Sequence, residues 1–309
     1  MAEEMIPGGM FVCRPLPIEC EYGDEVGLRL MSDLHVGASQ VDYKLIEREI
    51  SEAKENGDRV LINGDLLDLI LPKDHKRFSP TNLHPRISGR SDVINAAVMW
   101  AAELLAPVAT QLDMLGIGNH EEVVTRYHGI DPTLLVIYEL EKIIREKKSD
   151  HQIHYGGYTG FVDYRIRHLR KRKDPGGEAR GGGRWVLYYH HGSGAAAPVT
   201  KGMIDFNRKD TFVDASAIWM GHKHNNWNGK VEKLSCPMSG DQPTVKEVRH
   251  IMTGAYFSTY QGQTQASVRT HGRQSNYAAD MGMAPQGKGG VRLILKLDRE
   301  HAIQVKAVA

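Results

Sequence analysis

The nine residues WMGHKHNNW, 219–227, close an apolar run that begins at Ala217; Gly221 stops the run, and two histidines follow with one lysine between them. A single His-x-His is usually no more than a polar loop. Here the same event recurs four more times along the chain. Val26–Met31 runs into SDLH (32–35), Val60–Ile62 into NGDLLD (63–68), Met114–Ile117 into GNHE (118–121), and Trp185–Tyr189 into HHGSG (190–194). Short runs rich in Val, Ile, Leu and aromatic residues suit strands buried on both faces of an α/β sheet.

Helical patterns fall between these runs. In residues 41–57, Ile46, Ile50 and Ala53 share one face and Gly57 is placed to end the helix. Residues 91–109 read the same way with Ser91 as the cap, and residues 131–148 with Pro132 in the first turn. Strand alternating with helix is the grammar of a layered α/β domain. After residue 228 the chain alternates short apolar and polar segments that read as strands. The expected organisation is one domain over 1–309, with a core at about 26–228 and strands at about 229–309 completing it.

Composition narrows the class. The chain has 309 residues, enough for a well-buried core, and 39 Lys and Arg against 38 Asp and Glu advertise no nucleic-acid or membrane partner globally. Any such partner has to be met by a local patch. Two stretches qualify for attention: 70–90, with three prolines and several basic side chains, reads as a long loop, and 165–184 runs from a basic cluster into glycines. The second reads either as a solvated hairpin tip or as a phosphate-backbone contact. Three cysteines at no metal-binding spacing suggest a reducing cytoplasm, and the sequence suggests neither an export signal nor a membrane span.

In an open α/β sheet the carboxyl ends of the strands gather at one edge, so residues far apart in sequence can meet there. The five ends offer Asp33 and His35, Asp65 and Asp68, Asn119 and His120, His190 and His191, and His222 and His224. Carboxylates, one amide and several imidazoles, with no thiolate, suit Mn, Fe(II) or Zn better than calcium or a structural zinc. The set is large enough for two ions.

In that order, SDLH, GDLLD, GNHE, HHG and GHKH resemble the five sequence blocks of the calcineurin-like metallophosphoesterases. The resemblance implies a four-layer α/β/β/α sandwich, two mixed sheets flanked by helices, with a dinuclear metal site at the strand ends. It implies that Asp33, His35 and His224 hold one ion, that Asn119, His222 and one of His190 and His191 hold the other, and that Asp65 bridges them. His120 would then be the catalytic histidine and Asp68 the carboxylate that orients it. The cofactor implied is a pair of divalent ions, manganese first, with iron or zinc as alternatives. Such a pair activates a water for in-line attack on phosphorus.

The chain also departs from its relatives. Leu69 and Ile70 stand where protein phosphatases place Arg-Gly, so a phosphate grip has to come from elsewhere; Arg77, Arg86, Arg90, Arg126 and Lys223 are the candidates by position and charge. GNHEEVVTRYHGIDPT, HHGSGAAAPVTKG and the tail SNYAADMGMAPQGKGG are similar to a loosely defined branch frequent in phages and bacteria. The expected activity is hydrolysis of a phosphodiester in nucleic acid (DNA or RNA) or a nucleotide. The alternatives are a phosphomonoesterase and a metal-bearing scaffold without catalysis.

Overall fold

The computed structural model describes residues 10–69, 83–169, 182–194, 199–236, 242–257, 287–300 and 302–308. Residues 70–82, with Arg77, the glycine-rich 170–181 and most of the tail quoted above lie outside the described residues. The rest forms a mixed α/β fold with two mixed sheets and, among the described residues, five α-helices.

One sheet is built from β3 (Glu25–Met31), β4 (Arg59–Ile62), β5 (Leu112–Gly116) and β6 (His154–Gly157), all parallel, with β12 (Val291–Leu297) antiparallel to β3 and β13 (Ile303–Val308) at the edge. Three crossovers carry the helices: α1 (Tyr43–Asn56), α2 (Val93–Leu105), and α3 (Asn119–His128) with α4 (Pro132–Glu146). Asp42 caps α1, its carboxylate accepting from the Leu45 N–H, and Gly57 closes the helix in the left-handed conformation at φ 66°. Pro132 does open α4, behind Asp131, whose side chain accepts from the Leu134 N–H. Ser91 is not the cap of α2; that position falls to Asp92, which makes no side-chain capping bond.

The second sheet orders β1 (Phe11–Cys13), β7 (Thr159–His168), β8 (Gly182–His190), β9 (Ala217–Met220), β11 (Thr244–Met252) and β10 (Trp227–Ser235), with β2 (Ile18–Cys20) also on β7. Helix α5 (Met203–Asp210) lies between β8 and β9 in the chain. The segment 165–168 is therefore strand and not hairpin tip, as are 182–184.

Side-chain alternation sorts the strands into separate cores. Val60 and Ile62 pack with Ile46, Ile50, Trp100, Ala101 and Leu140 of the crossover helices. Leu61, between them, turns the other way, into a core shared with Leu28, Leu30, Val162, Trp185, Leu187 and Trp219 of the two sheets. A third, smaller core joins Tyr188, Ile218, Met220 and Met252 to Phe206 of α5. Within the middle core, buried Asp113 receives Arg59 through three N–H···O contacts of 2.6–3.0 Å and the Tyr164 hydroxyl at 2.6 Å. A charge taken from water is thereby matched from both sheets.

Candidate metal centre

The parallel strands β3, β4 and β5 end at Met31, Ile62 and Gly116, and β8 and β9 end at His190 and Met220. The polar clusters begin one to three residues further on, and backbone hydrogen bonds lace them together. Asp33 N–H donates to Gly64 O at 3.0 Å, His35 N–H to Asp65 O at 3.0 Å, and Val36 N–H to Leu66 O at 2.8 Å. The two sheets meet at this edge: Asn63 Nδ2 donates to His190 O at 3.2 Å, and the His222 N–H reaches the Asp33 carboxylate at 2.9 Å.

Seven non-glycine residues among those described have positive φ, and five of them are Asp33, His35, Asp65, His222 and His224. The left-handed region costs such residues on the order of 1 kcal/mol each or more, and persists only where the surroundings enforce it. Concentrated here, that strain turns side chains from three loops toward one point.

Three groups result, two of them sharing His35, each with ligand atoms within 4.8 Å of one another: Asp33, His35 and His224; Asp65, His191 and His222; and His35, Asp68 and His120. Of the adjacent pair at 190–191, the structure brings only His191 into these groups. Neighbouring residues at a strand end point to opposite faces; His190 is turned away, its Nδ1 accepting the Gly192 N–H at 2.8 Å. The choice that the sequence leaves open between His190 and His191 falls on His191 at this cluster. His191 Nδ1 lies 2.7 Å from Asn63 O, which leaves Nε2 aimed at Asp65, 3.2 Å from Oδ2. A fixed second nitrogen is how a metal-ligating histidine is held.

Among the described residues, several buried polar atoms here have no hydrogen-bond partner: both ring nitrogens of His35 and Oδ1 of Asn119. Leaving such atoms dry costs about 1–3 kcal/mol each unless something fills the role. Imidazole nitrogens, an amide oxygen and two carboxylates are a donor set that divalent Mn, Fe or Zn accepts, so the residues present fit a cation.

Charge is tightly coupled in the cluster. Burial works against the charged form of His191, but Asp65 overrides it and pushes the imidazole up to about 10. Burial likewise opposes charge on His120, and Asp65 and Asp68 raise it to about 9, with Nδ1 2.7 Å from Asp68 Oδ1. Burial would raise Asp68, but His120 and His35 hold it well below the usual carboxylate range. His190, away from these acids, is lowered to about 4 by burial and by Lys209. In the metal-free protein the raised histidines stabilise the fold fully below pH 6.5, and that contribution is lost as pH rises through about 9 and 10. The urea midpoint in EDTA is thus expected to fall between pH 6.5 and 10; a midpoint that rises across that range contradicts the pairing.

Sequence reasoning gave Glu121 no role. The structure buries it and makes it a staple: Oε2 accepts from the Asp65 N–H at 3.0 Å and the Gly118 N–H at 2.8 Å, and Oε1 from the Leu67 N–H at 2.8 Å. One carboxylate thereby joins the loops that carry Asp65 and Asn119. Glu121→Ala strands three buried N–H groups and is expected to cost about 3 kcal/mol or more in chemical denaturation; a loss under about 0.5 kcal/mol, the level of an ordinary surface change, would remove the staple from the account. Glycine is needed at two neighbouring points. A Cβ at Gly118 would strike the Asp65 carboxylate, and one at Gly64, where φ is +75°, would come within 2.6 Å of His191 Nδ1. Ser32, Thr253 and Phe257 also escaped notice. Ser32 donates to Asp33 and touches Thr253 Oγ1 at 2.6 Å, while the Phe257 ring lies 4.4 Å from that of His35.

The candidate phosphate grips are otherwise engaged. Arg86 pairs with Glu103, Arg90 with Asp92, Arg126 with Glu122 and Lys223 with Asp205. These four of the five candidates are locally neutralised, and the fifth, Arg77, lies outside the described residues.

Fold and cluster together define a mixed α/β protein whose strand ends gather carboxylates and imidazoles into groups able to hold metal ions. A scan against protein-family models matched none, and a search of the curated proteins returned no match. Among solved structures the chain is similar to the crystal structure of a conserved uncharacterized protein, a predicted phosphoesterase, from Streptococcus pneumoniae TIGR4. The identity is 11%, the match covers 92% of this chain and 98% of that one, and the TM-score is 0.30. A likeness that slight carries no functional information.

Proposed function

We propose that this chain is a metal-dependent phosphoester hydrolase, a single domain of the four-layer calcineurin-like type, acting on a phosphodiester in nucleic acid or a nucleotide. The observation that carries the reading is the pair of groups Asp33–His35–His224 and Asp65–His191–His222, beside an imidazole–carboxylate pair at His120 and Asp68. In this reading the first group holds one divalent ion, the second holds another with Asn119, and Asp65 is shared. Manganese is the first choice, with iron or zinc as alternatives. When bound, such a pair supplies positive charge to the phosphoryl oxygens and lowers the pKa of a shared water.

The protein's own residues do the rest. His120 sits with Nδ1 against Asp68, so Nε2 is the nitrogen left to give a proton to the departing oxygen. Asp68 keeps the ring charged and fixed in orientation. Glu121 holds the backbone of Asp65 and Gly118, and so keeps Asn119 within reach.

A diester is favoured over a monoester because, among the described candidates, Arg86, Arg90, Arg126 and Lys223 are already paired with carboxylates. A monoester carries a second phosphoryl charge and asks for a further cation. The test is turnover of bis-nitrophenyl phosphate and of nitrophenyl phosphate by the manganese-loaded protein, with the diester expected to be the faster by about ten-fold, some 1.4 kcal/mol of barrier. Preference for the monoester would move the assignment to a phosphatase. Two bound ions with neither substrate turned over would leave a scaffold.

A further inference from the structure

One groove of the described residues lies away from the candidate centre. It is an open concavity of about 530 Å³ on the second sheet, lined by Arg14, Arg165, Arg167 and Arg184 around Asp163, with Gly182 and Gly183 at its floor. Arg184 and His190 are six positions apart along β8, about 20 Å of extended chain, so the groove and the strand end that carries His191 are far apart.

Asp163 is buried and holds two of the guanidiniums: Arg184 grips it through Nε at 2.7 Å and Nη2 at 3.1 Å, and Arg14 Nε lies 3.9 Å away. Arg165 stands directly opposite Arg184 in the antiparallel pairing, and Arg167 opposite Gly182. Like charges facing each other across a ladder are destabilising. Glu19 is in register with Arg167 on β2, and the described lining of the groove carries four guanidiniums and one carboxylate, that of Asp163. The glycines opposite Arg167 and Ile166 supply no side chain, which is what opens the space.

We propose that this groove binds the phosphate backbone of a nucleic acid. Guanidinium forks match phosphate oxygens in pairs. Arg165 and Arg167 sit two residues apart on one strand face, about 7 Å between Cα atoms, near the rise of two phosphates along one strand of a B-form duplex at about 3.4 Å each. Asp163 orients Arg184 and Arg14 in advance, so less freedom is lost on binding. The inference does not depend on the metal centre or on hydrolysis.

The test is fluorescence anisotropy of the full chain with a labelled phosphorothioate duplex of about 20 base pairs, which resists cleavage, over a salt series. The wild-type affinity is expected to fall steeply with salt. Arg165→Glu with Arg167→Glu is expected to weaken binding about ten-fold or more and to lower the salt slope by about two. Arg48→Glu with Arg145→Glu makes the same charge change on the surfaces of α1 and α4 and is expected to leave the slope as it was. Should the glutamate pair not fold, Arg165→Gln with Arg167→Gln carries the same slope prediction. Wild-type binding without salt dependence, an unchanged slope in both groove variants, or an equal loss in the helix-surface control overturns the proposal.

Discussion

His120→Asn is expected to lower kcat on bis-nitrophenyl phosphate by about 10²-fold or more, the usual contribution of a positioned acid, while the metal content stays at the wild-type level. The separation follows from placement. His120 contacts Asp68 at 2.7 Å and its ring centroid lies 4.7 Å from that of His35. The two mutually exclusive groups that His35 joins give the measurement its force. If His35 serves with Asp33 and His224, removing the His120 imidazole costs proton donation and no ion. If it serves with Asp68 and His120, the same change releases metal. Elemental analysis beside kinetics tells these apart, and loss of an ion in step with activity would contradict the role given to His120.

Asp65→Ala is expected to have the larger effect, taking bound metal below one ion per chain and activity below detection. Its carboxylate lies against His191 Nε2 at 3.2 Å and accepts the His120 N–H through Oδ1 at 3.0 Å. Asp65 is also the charge that does most to raise both His191 and His120. Removing it unbalances both imidazoles at once in a site where Asp65 is 1% exposed. Asp33→Ala, confined to one group, is expected to leave one ion bound. Two ions retained by Asp65→Ala would mean that this carboxylate is shared by neither.

Much of this was legible in the sequence because the strands that carry the site are buried on both faces. Val60, Leu61 and Ile62 must all be apolar when one face meets helices and the other a second sheet, and the abrupt change to NGDLLD then marks the strand end. The helix of residues 43–56 was readable from its spacing and from Gly57. What composition could not give was direction. His190 and His191 differ only in which side of the strand end they face, and that depends on where β8 leaves its ladder with β7. Glu121 was unreadable for a different reason: its partners are backbone N–H groups of residues 65, 67 and 118, which no side-chain pattern announces. The arginines misled because charge in a sequence does not say whether a carboxylate waits beside it. Arg165 and Arg167 were noticed within a basic cluster that runs into glycines, but the concavity they form with Arg184 needed the pairing of β7 with β8 and β2 to appear.

The most direct measurement is an anomalous difference map from crystals of the protein soaked in manganese, collected on the low-energy side of the iron edge. Two peaks about 3.5–4 Å apart are predicted, one against Asp33, His35 and His224, the other against Asn119, His191 and His222, with Asp65 reaching both. A single peak, ions ligated through His190, or no manganese at these side chains at full soak would contradict the account.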